Sequence, residues 1–138
     1  MSDQKNDKIL EVKNLKVSYH TYAGEVKSVR GVSFDLKEGE AIAIVGESGC
    51  GKSVTAKSIM GLIKGPQGEI KQGSEILYHG DNILNYNKKQ WQVYKGGEVA
   101  IIFQDALASL NPTMRVGKQI MENLMAHKNM TKDEAKNE

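Results

Sequence analysis

Apolar residues recur at every second or third position from Ile9 to Tyr19 (Leu10, Val12, Leu15, Val17, Tyr19) and again from Val26 to Leu36 (Val29, Val32, Phe34), with Ala23-Gly24 between the runs. Two antiparallel strands joined by a turn fit this partial alternation. After the turn Lys37-Glu38-Gly39-Glu40, residues Ala41, Ile42, Ala43, Ile44 and Val45 are apolar on both faces, which predicts a strand buried on both sides of a sheet. A glycine-rich loop follows directly. From Lys52 to Ile63 the spacing of Val54, Ile59, Met60, Leu62 and Ile63 predicts a helix of about three turns, ended by Gly65-Pro66. Residues 70–79, with the turn Gly80-Asp81-Asn82 behind them, read as a strand pair of mixed polarity at a sheet edge. A short helix is expected over 86–94, broken by Gly96-Gly97, before Val99, Ala100, Ile101, Ile102 and Phe103 form a second run of buried-strand type. Beyond Asn111-Pro112, the spacing of Val116, Ile120 and Leu124, with Met121 and Met125 beside them, marks an amphipathic helix to His127. Thr131 and Glu134 form a capping box that opens one more helix.

A chain of 138 residues holds one modest domain or part of one. With 39% apolar and 26% charged residues, neither disorder nor a membrane-spanning chain is indicated. The net charge of +2 is spread among carboxylates, which argues against nucleic acid as a partner. Cys50 is the single cysteine and makes no internal disulfide, and the polar start of the chain resembles no signal peptide, so a cytosolic protein is expected. Apolar runs such as 41–45 fall far short of the roughly 20 residues a transmembrane helix needs. Membrane association must therefore go through a partner.

The loop between the first buried-type run and the helix reads Gly46-Glu47-Ser48-Gly49-Cys50-Gly51-Lys52-Ser53, which satisfies G-x-x-x-x-G-K-S/T in the strand-to-helix context that pattern requires. Glycines at 46, 49 and 51 permit backbone angles closed to other residues and leave room for phosphate oxygens. Successive N–H groups from Gly49 to Val54 are expected to form a nest at the positive end of the following helix. Lys52 should bridge the β- and γ-phosphates of a nucleotide, and the Ser53 hydroxyl should coordinate Mg2+. Cys50 is either a small filler or a thiol partly activated by the helix N-terminus. Its alkylation should block nucleotide binding, and bound ATP should protect it.

The loop alone does not choose among phosphate-loop nucleotidases. Together with the antiparallel strands before it and Ile101-Ile102-Phe103-Gln104-Asp105 after it, the chain resembles the ATP-binding subunits of ABC transporters. Phe103 through Met114, Val116-Gly117-Lys118-Gln119-Ile120, and Glu25-Val26 with Gly31-Val32-Ser33-Phe34 resemble the oligopeptide, dipeptide and nickel importer branch. The resemblance implies an α/β fold: the phosphate-loop core of an ABC ATPase with an antiparallel β subdomain (1–40), the core with a β insertion (41–104), and a glutamine loop with the start of a helical subdomain (105–138). It further implies that Gln104 helps hold Mg2+ and the attacking water, that its loop meets membrane subunits, and that Tyr19, or failing it Tyr22, stacks on adenine. Ala106 departs from the family, where proline follows the Gln-Asp pair, and its loss should loosen the loop. His20, His79 and His127 show no metal-site spacing and read as surface histidines.

The Leu-Ser-Gly-Gly-Gln-like signature, the apolar strand ending in Asp-Glu, and the switch histidine of the family are not found. The chain therefore reads as a truncated domain, with apolar surface left exposed, that binds ATP and Mg2+ and alone turns over little or nothing. In full, the resemblance implies an ATPase powering oligopeptide or dipeptide import at the cytoplasmic face of the membrane. Its partners would be a second ABC ATPase subunit, transmembrane permease subunits and, indirectly, an extracytoplasmic solute-binding protein. A soluble ABC-type ATPase without a membrane partner, and a nucleotide-binding module without catalysis, are the alternatives.

Overall fold

The computed structural model describes residues 7–49, 51–105 and 107–138. β1 (Lys8–Thr21) and β2 (Gly24–Lys37) form the expected antiparallel hairpin, turning at Tyr22 and Ala23, with Thr21 Oγ1 donating to the Gly24 carbonyl at 2.9 Å. Val12 lies opposite Phe34, Leu15 opposite Val32, and Val17 opposite Val29. Several of these apolar positions are three apart, where a flat strand would need two. Register shifts between Val12 and Leu15 and between Leu15 and Lys16 absorb the extra residues, with Asn14 (φ 48°) and Gly31 (φ 110°) in left-handed conformations there. The apolar set thereby stays on one face, and Val12, Leu15, Val17 and Val29 are buried.

β1 is the centre of a five-stranded sheet. Its second edge takes β3 (Gly68–Ile70), which pairs with Val17 to Tyr19, and β4 (Glu75–Tyr78), which pairs with Leu10 to Lys13. These segments were expected to pair with each other. Instead both run antiparallel to β1, because the Lys71 to Ser74 turn is fastened to β1 at Lys16. Lys71 N donates to the Lys16 carbonyl at 2.8 Å, and Lys16 N donates to Ser74 Oγ at 3.0 Å. β5 (Asp81–Asn82) hairpins back onto β4. Ile76 and Ile83 are fully buried as well, and Asn82 caps the turn Ile83–Asn85 by accepting from Leu84 N at 3.1 Å.

The helices are α1 (Lys52–Ile59), α2 (Lys88–Val93), α3 (Val116–Lys128) and α4 (Lys132–Asn137). α1 is shorter than the expected 52–63 and gives way at left-handed Gly61 (φ 64°), where a side chain would strike the Trp91 ring. Asn87 and Gln90 cap α2 reciprocally, at 3.0 and 2.9 Å. The expected Thr131–Glu134 capping box is present on α4 at 2.8 and 3.3 Å.

The apolar runs 41–45 and 99–103 do not form the buried strands their composition predicts. Neither belongs to a ladder among the described residues, apart from a single bridge between Lys95 and Val99. Ile42, Ile44, Val45, Ile102 and Phe103 are exposed. Such runs become strands only where neighbours satisfy both edges, and β1 has given its two edges to β2 and to β3 with β4. The chain divides into two compact units, Met1–Trp91 and Gln92–Glu138.

Candidate functional site

Gly51 ends the loop in a left-handed conformation (φ 95°, ψ 6°) and is the N-cap of α1. A Cβ there would lie 2.6 Å from the Ser28 carbonyl oxygen and 3.3 Å from Val29 Cγ2, so both the angle and the approach to β2 require glycine. Gly49 is also left-handed (φ 83°) but has open space around it. The ladder of α1 begins with Thr55 N donating to the Gly51 carbonyl at 2.9 Å, reinforced by Thr55 Oγ1 to the same oxygen at 2.8 Å. The N–H groups of Lys52, Ser53 and Val54 precede that ladder, at the positive end of the helix dipole. No acidic residue lies in the first turn to compete with an incoming anion.

The buried side of α1 is polar: Thr55 and Ser58 are buried, and the Ser58 hydroxyl donates to the Val54 carbonyl at 2.8 Å. Their hydroxyls are satisfied inside the helix, so burial leaves no orphaned group. The opposite side presents Ser53, which is exposed. The Lys52 ammonium folds back to the Gly46 carbonyl and spans the two ends of the loop. Glu47, Ser48 and Gly49 are exposed in the loop itself, and Cys50 lies outside the described residues. A run of first-turn N–H donors, an ammonium and an exposed hydroxyl have the chemistry suited to the phosphates of a nucleotide and to Mg2+ beside them.

Tyr19 is half-buried on β1, opposite Val26 on one side and Gly68 on the other. A Cβ at Gly68 would come 3.4 Å from Tyr19 Cε1, so the ring lies against the β3 backbone. Tyr22 stands fully exposed at the hairpin tip. Gln104 is exposed at a bend in the second unit, and Ala106 lies outside the described residues.

One cluster beside Tyr19 was not foreseen. His20 is not an isolated surface histidine: its Nε2 meets Glu69 Oε2 at 2.8 Å, while the Lys71 ammonium pairs with Glu25 at 2.8 Å and with Glu69 at 3.0 Å. Hydrogen bonds from Lys71 and then Ser18 lower the Glu25 pKa to about 2, and His20 followed by Lys71 lowers that of Glu69. The two carboxylates raise the Lys71 pKa in turn. His20, Glu25 and Glu69 bring metal-ligand atoms within 4.8 Å of one another, but Lys71 already supplies the positive charge between the carboxylates. The antiparallel register is the signal that finds it, since His20 pairs with Glu25 and Ser18 with Glu69.

The family model described as ABC transporter matches residues 29–138. The chain is 55% identical over 130 residues to the dipeptide transport ATP-binding protein DppD of Lactococcus lactis subsp. cremoris, covering 94% of this chain and 37% of that protein. It is 52% identical over 129 residues to the oligopeptide transport ATP-binding protein OppD of Bacillus subtilis, covering 94% and 36%. With OppD of Escherichia coli the identity is 44% over 135 residues, covering 98% and 39%. The chain thus spans little more than a third of the length of these relatives.

Proposed function

The chain belongs to the ABC transporter family, and from that premise we propose that it supplies the ATP and Mg2+ site of an ATP-binding subunit that drives peptide import. The observation that carries this reading is the loop ending at Gly51, where a left-handed glycine pressed against β2 sets the first-turn N–H groups of α1 at the end of the loop. In this reading the N–H groups from Gly49 to Val54, that of Cys50 among them, cradle the phosphates, with Gly46, Glu47 and Ser48 completing the loop. Lys52 leaves the Gly46 carbonyl to neutralise β- and γ-phosphate charge, and the resemblance implies that Ser53 and Gln104 would offer oxygens to Mg2+. Bound there, Mg2+ would screen the charge on the phosphates. Gln104 also orients water, and Tyr19 stacks on adenine.

The transport assignment rests on the resemblance and on the names of the relatives, which are dipeptide and oligopeptide transport proteins. The partners proposed are a second ATPase subunit, permease subunits in the membrane and, through them, a solute-binding protein outside. Among the described residues no helix is long and apolar enough to cross a membrane. The proposed place, by the resemblance, is the cytoplasmic face of the membrane, held there by the permease. The proposed organisation is a β subdomain over 1–40, a phosphate-loop core over 41–104, and the glutamine loop with the start of a helical subdomain over 105–138. This stretch alone binds ATP without appreciable turnover. The test uses the full-length subunit assembled with its permease, comparing wild type with Lys52→Ala. Peptide-stimulated ATP hydrolysis should fall by at least about a hundredfold in the variant, and equal rates would refute the assignment.

A further inference from the structure

Gln119 sits in the first turns of α3 and reaches back to the loop before the helix. Its Nε2 donates to the carbonyls of Asn111 and Met114, both at 3.0 Å, and its Oε1 accepts from Asn111 N at 2.9 Å. Asn111 closes the same loop on itself: its Oδ1 accepts from Thr113 N at 3.0 Å and from Thr113 Oγ1 at 2.7 Å, and its carbonyl accepts from Met114 N at 3.2 Å. Upstream, Asp105 Oδ1 accepts from Ala108 N, within the turn Leu107–Ser109, at 3.3 Å. The segment that follows Gln104 is therefore fastened at its end, over Asn111 to Met114, and the fastening is one side chain of α3.

We propose that Gln119 is a positioning residue that anchors the far end of the Gln104 segment to α3, so that helix and segment move as one piece. This rests on the role proposed above for Gln104. The chemistry selects the residue type. Two carbonyl oxygens receive donors here and one N–H an acceptor, and a primary amide is the neutral group that supplies both from one carbon. Glutamate in its place would set a carboxylate against two carbonyl oxygens and supply no donor. Asparagine is one methylene too short, and alanine removes all three bonds.

The test compares the full-length subunit, assembled with its permease, as wild type, Gln119→Ala and Gln119→Glu. Amide hydrogen exchange and the kinetics of ATP hydrolysis are both read. Exchange at Asn111, Thr113 and Met114 should rise about tenfold or more in both variants, while amides in the last turns of α3 stay within about twofold. The kcat for ATP should fall about tenfold with KM for ATP within about twofold, because the phosphate loop is untouched. Equal loss of protection along α3 would show that Gln119 only stabilises the helix and would overturn the proposal. So would wild-type exchange and kcat in both variants of a complex that hydrolyses ATP. A wild-type complex that binds no ATP is a different failure, and it removes the nucleotide reading itself.

Discussion

Gly49 and Gly51 both hold left-handed angles, with φ 83° and 95°, yet only at Gly51 would a methyl group strike the backbone of β2. Gly49→Ala should cost the conformational term alone, about 1–2 kcal/mol. Gly51→Ala should cost at least about 1 kcal/mol more, because the Ser28 carbonyl must also shift. Urea denaturation of the two variants reads the difference, and equal midpoints would contradict the steric account. The loop was legible because its glycines, lysine and serine sit in a contiguous string. The ion cluster was not, because His20, Glu25, Glu69 and Lys71 come together only through strand register. Its electrostatics have a definite sign. Glu25 is held at about 2, well below the ordinary glutamate value, so its contribution is complete above that ordinary value and is lost as pH falls toward 2. Lys71→Met should raise the Glu25 pKa toward the ordinary range in an NMR titration, with the Ser18 hydrogen bond still holding it down in part. An unchanged titration would show that Lys71 is not the cause.

Elements formed where the chain could satisfy them locally. β1 and β2 follow from alternation and a turn, and the capping box of α4 from Thr131 and Glu134, three positions apart at a helix start. Runs 41–45 and 99–103 have the composition of central strands, but composition does not provide ladder partners. Their apolar residues stand exposed, while the core lies at Val12, Leu15, Val17, Ile76 and Ile83. Ile76→Ala should therefore destabilise this chain by about 2–4 kcal/mol, as truncation in a packed core does. Ile102→Ala should stay within about 0.5 kcal/mol. Chemical denaturation distinguishes them, and a large loss at Ile102 would mean that the second run is packed after all. The Gln119 anchor belongs to this scale too. Val116-Gly117-Lys118-Gln119-Ile120 was legible as a family-like string, but its bonds to Asn111 and Met114 follow from how the loop folds back on α3.

The whole molecule comprises a β-sheet unit that carries the phosphate loop and a second unit that carries Gln104 and the α3–α4 pair. Family membership rests on residues 29–138, whereas the relatives extend well beyond the matched stretch, with only 37% of DppD covered. Transport and hydrolysis are therefore properties to be measured on the longer protein. The proposed phosphate site, by contrast, lies wholly within this chain, since the first-turn donors of α1, Lys52 and Ser53 all belong to it. Calorimetric titration of MgATP into this chain and into its Lys52→Ala variant tests that claim most directly. Saturable one-to-one binding by wild type, weakened at least about tenfold in Lys52→Ala, is the predicted result. Equal affinities, or no binding by wild type, would contradict the assignment of the loop.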